Sequence, residues 1–79
     1  MDNDSENEIA ALEREIAELG QDLVRNSAKI RHLMDSEDPK AGVCFPKEIF
    51  EAHQEKLRLT YEMDLRRARI NRLHFAAQA

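Results

Sequence analysis

The chain has no Trp, a single Cys, two Gly, two Pro and only four aromatic residues, Phe45, Phe50, Tyr61 and Phe75. Each scarcity excludes something. One thiol, Cys44, cannot close an internal disulfide, so the sequence reads as that of a protein from a reducing compartment, with the cytoplasm as the expected location. No apolar run reaches the roughly 18 residues of a membrane span and no stretch resembles a signal peptide, so no membrane contact is expected. A sheet-rich fold needs more turn residues than two Gly and two Pro supply, and 35% charged residues suits long solvated helices. There is no Gly-rich phosphate loop and no nucleophile elbow. Finally, the 79 residues include ten alanines, and a chain of this size hides only about 60% of the surface its unfolded form exposes. Such a fold needs a covalent staple or a partner.

What is present is periodicity. From Glu8 to Asp35 the sequence divides into EIAALER, EIAELGQ, DLVRNSA and KIRHLMD, four successive units of seven. With the second residue of each unit at position a, the a set is Ile9, Ile16, Leu23 and Ile30, and the d set is Leu12, Leu19, Asn26 and Leu33. An apolar seam repeating every 3.5 residues stays against a neighbouring helix only when the two supercoil, so the pattern predicts a coiled coil. Asn26, the one polar member, reads as a register lock, an amide that pairs with its counterpart on another helix or with a polar group opposite and penalises misaligned packing.

Ser5 and Glu8 have the spacing of a capping box, which predicts a first helix over residues 6–34 with residues 1–4 frayed. Pro39 and Gly42 break the pattern, giving a loop over 35–45, and Pro46 suits the first position of a second helix over 46–77. A loop of this length lets the helices fold back on each other. The expected fold is therefore all-α, a single antiparallel helical-hairpin domain.

Charge supports that arrangement. Residues 1–22 carry eight acids and one base, Arg14, whereas residues 65–79 carry Arg66, Arg67, Arg69 and Arg72 and no acid. An antiparallel hairpin turning near Lys40 brings the acidic start beside the basic end and sets Glu15 near Arg66. The segregation reads first as a pairing code, although each exposed pair contributes little.

The second helix has apolar residues on two sides. Ile49, Phe50, His53, Leu57, Tyr61, Leu65, Ala68 and Phe75 spread over one broad face, while Ala52, Leu59, Met63, Ile70 and Leu73 form a stripe nearly opposite. The first helix offers one narrow seam, so one of these faces needs another neighbour. The expectation is that the narrower stripe, with Leu59, Met63, Ile70 and Leu73, is the surface for self-association or partner binding. Twofold dimerisation of the hairpin into a four-helix bundle follows as the simplest assembly.

Chemistry finds little footing. His32, His53 and His74 do not converge in the hairpin register, and neither a metal site nor any cofactor is expected. Cys44 has no adjacent base and reads as a small apolar loop residue. Phe45 packs under the loop or, if exposed, anchors a partner. The expected function is that of a non-enzymatic interaction protein, a small acidic coiled-coil regulator, adaptor or inhibitor of the kind bacteria and phages encode, acting as a homodimer on a protein partner. The alternative is a nucleic-acid-associated or transcription regulator that uses Arg66, Arg67, Arg69 and Arg72 on phosphates, a partner class disfavoured by the net charge of −4.

Overall fold

A computed structural model describes residues 3–78, which form two long helices, α1 (Asn3–Ser36) and α2 (Pro46–Gln78), folded back on each other. The resulting rod measures 64 × 15 × 12 Å. No strand occurs among the described residues, and there is one isolated antiparallel bridge, Asp38 to Val43, inside the loop.

Helix α1 begins earlier than the capping spacing predicts. Ser5 and Glu8 lie within it rather than at its mouth, and Glu8 reaches across to Arg69 at 2.6 Å instead of turning back on the first turn. Residue 4 is helical, and residues 1 and 2 of the expected frayed start lie outside the described residues.

The reversal is built by local hydrogen bonds. Asp38 caps a short 3-10 turn at Pro39–Ala41, its carboxylate accepting from the Ala41 N–H at 3.3 Å. Gly42 follows in the left-handed region with φ 77°, where a side chain would be strained, and donates its N–H to the Pro39 carbonyl at 3.1 Å. Asp38 and Val43 exchange backbone bonds of 2.7 and 2.9 Å. The Glu37 carboxylate then accepts the Phe45 N–H at 2.9 Å, and the Phe45 carbonyl accepts the Ile49 N–H at 2.9 Å, which pins the loop to the first turn of α2. Glu37 and Asp38 are thus structural parts of the turn as well as solvated acids.

All eight α1 seam residues, Ile9, Leu12, Ile16, Leu19, Leu23, Asn26, Ile30 and Leu33, are half-buried or buried against α2. Asn26 donates Nδ2–H to the Ala52 carbonyl at 2.8 Å, so the polar seam position holds the backbone of the facing helix rather than another side chain. That approach requires a small residue at the contact, and Ala52 is 3% exposed. Farther along, Gly20 faces the Met63 methyl, which would lie 3.8 Å from a Cβ placed there. Small residues of one helix thus meet larger groups of the other along the seam.

Candidate association surface

The inner face of α2 decides what remains for other molecules. Leu59 is 1% exposed, Met63 9% and Ala52 3%, while Ile49, Ile70 and Leu73 are half-buried. These residues fall at 49, 52, 59, 63, 70 and 73, and with Lys56 and Arg66 in the intervening positions they alternate steps of three and four without interruption. That spacing has the same 3.5-residue period as the α1 seam, so the two ridges stay in contact along the whole hairpin.

Here the structure reverses an expectation. Leu59, Met63, Ile70 and Leu73, the stripe expected to serve self-association or partner binding, are the hairpin's own core. No second molecule reaches Leu59 or Met63 while the hairpin is closed. The residues left outside are those of the broader face: Phe50 at 63% exposure, Leu57 at 63%, Tyr61 at 61%, Leu65 at 45% and Phe75 at 77%. At about 100° per residue they fall on a band whose centre is about 180° from the inner ridge. The band also holds Gln54, Ala68 and Arg72, all exposed. It runs about 38 Å from Phe50 to Phe75 at 1.5 Å per residue. On α1, by contrast, the large exposed apolar side chains are Val24 and Met34, which are far apart in sequence and make no stripe.

The arginine-rich end is engaged within the chain. Arg66 Nε donates to Glu15 at 2.8 Å across the hairpin, and its Nη1 donates to the Glu62 carboxylate at 2.7 Å and the Glu62 carbonyl at 2.9 Å. The Glu62 and Glu15 bonds push the Arg66 pKa upward, which secures its charge. Arg67 bonds Asp64 at 3.1 Å and Arg69 bonds Glu8 at 2.6 Å. Among the described residues, Arg72 has no such acidic partner. Nearer the turn, Arg58 forms a two-pronged pair with Glu55, at 2.7 and 2.8 Å, which holds the Glu55 carboxyl below its usual range. Arg25 bonds Asp22.

The remaining expected sites are separated. His32 and His53 lie toward the turn and His74 toward the opposite end, and no group of three His, Cys, Asp or Glu residues capable of holding a metal occurs among the described residues. His53 borders an open groove with Ile30, Arg31, Asp35 and Lys56. Cys44 is exposed. Phe45 is half-buried with its backbone tied to Glu37 and Ile49, so it serves the turn, and the exposed aromatics are Phe50, Tyr61 and Phe75. No described helix is long and apolar enough to cross a membrane.

Compared with known family models, with curated proteins and with solved structures, the chain matches none of them.

Proposed function

We propose that the chain is a non-enzymatic protein-binding module whose contact face is the outer stripe of α2, Phe50, Leu57, Tyr61, Leu65 and Phe75. One observation carries this reading. These residues remain in water after the hairpin has used every other large apolar side chain of α2. Scattered surface leucines need no explanation, but a band of large apolar side chains along one helix face does, because extended exposed apolar patches mark interaction sites. Three of its members are aromatic, the class that most often anchors interfaces.

Homodimerisation into a four-helix assembly belongs to the same reading, now placed on the outer stripe. A regulator, adaptor or inhibitor acts by occupying a partner's surface, and a rigid rod with one sticky side suits that role. For the nucleic-acid alternative, Arg66, Arg67 and Arg69 each sit beside an acid that repels phosphate, which leaves Arg72 as the one of the four without an acidic partner among the described residues.

The test is a Leu57→Asp, Tyr61→Asp double variant. Both side chains are exposed, so helical content and melting temperature should stay close to wild type by circular dichroism. The variant should lose the wild type's associations, whether with itself in sedimentation equilibrium or with other proteins in affinity capture. A folded double variant that keeps all of them removes the proposal.

A further inference from the structure

Resting on the reading of the outer stripe as a contact face, we infer that its occupant is the same stripe of a second copy, laid antiparallel about a twofold axis at Tyr61. The spacing carries the first part of the argument. Counting outward from Tyr61 in both directions, Leu57 is equidistant with Leu65, Gln54 with Ala68, and Phe50 with Arg72. An antiparallel copy therefore sets Tyr61 against Tyr61, Leu57 against Leu65, and the Arg72 guanidinium over the face of Phe50, a cation–π contact. A parallel copy would instead stack Arg72 on Arg72 inside an apolar seam, with Gln54 on Gln54.

Charge carries the second part. A twofold axis relating antiparallel helices brings each shoulder of one helix against the same shoulder of the other. One shoulder of the stripe bears Glu51, Arg58, Glu62 and Arg69. In this register Glu51 meets Arg69 of the second copy and Arg58 meets Glu62, with both pairings repeated by symmetry and centred within one residue of Tyr61. The charges alternate as such a self-complementary edge requires. Arg69 and Arg58 already touch Glu8 and Glu55, yet a guanidinium has five N–H donors and both side chains are more than half exposed.

The direction of the stripe fixes the assembly's shape. Because the outer band lies about 180° from the inner ridge at 100° per residue, α1 stays clear of the contact. The four helices then stand in a row, α1–α2–α2–α1, as a flat layer. A square bundle would place the two neighbours of α2 about a right angle apart.

The experiment uses two full-length chains in a Cys44→Ser background, one carrying Gln54→Cys and the other Ala68→Cys. Mild oxidation of the mixture should give disulfide-linked heterodimers in high yield, with little cross-linking of either chain alone. In parallel, Glu51→Arg should weaken self-association roughly tenfold, since each reversal creates two like-charge contacts by symmetry, and Glu51→Arg with Arg69→Glu should restore it when Glu8→Arg is added to keep the ion pair between α1 and α2. Self-linking of the Gln54→Cys chain, or no link in the mixture, overturns the antiparallel register. So does failure of the paired reversal to restore association. A wild type that stays monomeric at sub-millimolar concentration overturns the second copy as occupant. If in that case Leu57→Asp still abolishes capture of another protein, the contact face stands and only this inference falls.

Discussion

The two glycines have opposite roles, and substitution separates them. Gly20 sits in mid-helix, where the absence of a side chain costs backbone entropy, and a Cβ there would make an ordinary contact with Met63. Gly20→Ala should therefore stabilise the hairpin by about 0.5–1 kcal/mol, read as a raised urea midpoint. Gly42 has open space around it but a φ of 77°. Gly42→Ala should destabilise by about 1 kcal/mol despite the room, because the strain is in the backbone. Equal shifts for the two variants would contradict the turn geometry. Asn26 illustrates how partly a residue's role can be read. Its seam position and locking character are evident from the heptad, but its partner, the Ala52 carbonyl, is not. A backbone acceptor leaves no trace in the sequence except the smallness of the residue that exposes it.

At the scale of the helix, α2 presents two apolar stripes, and the sequence contains a cue to which one faces α1. The inner ridge keeps a strict alternation of three and four, whereas the outer band takes two consecutive steps of four, Leu57 to Tyr61 to Leu65. Only the strict repeat follows a heptad seam along its length. Lys56 and Arg66 interrupt the inner ridge and hide that regularity, and the larger side chains on the outer band draw attention to the wrong face. Arg66 tolerates its seam position because Glu15 and Glu62 satisfy its donors at the edge of the interface. The assignment has measurable consequences. Leu59→Ala should cost about 2–5 kcal/mol, as expected for a buried leucine, and Leu59→Asp should unfold the hairpin. Leu57→Ala, two residues away on the outer band, should change the stability of the isolated hairpin by less than about 0.5 kcal/mol. Thermal unfolding of dilute samples would distinguish them, and similar losses would return the inner ridge to candidacy as a binding surface.

For the whole molecule, the opposite charges of the two ends join α1 to α2 through Glu15–Arg66 and Glu8–Arg69. Arg66→Ala should lower the melting temperature more than Arg67→Ala, because Arg66 ties the two helices whereas Arg67 bonds Asp64 within its own helix. The difference should shrink as salt is raised, since both guanidinia are partly solvated. Identical salt responses would mean that the cross-hairpin pair contributes nothing to holding the ends together.

Period, breakers and charge order are properties of neighbours along the chain, and by themselves they determine two helices, a reversal between them and an antiparallel register that sets Glu15 against Arg66. The repeat within α2 hints at which side faces inward, but what decides it is the fit between two surfaces that no single helix contains. Ala52 against Asn26, Met63 against Gly20 and two ridges of the same 3.5-residue period decide that competition, and they do so only when both helices are present. The face proposed for contact is therefore what packing leaves over. It is the stripe that the tertiary structure left in water.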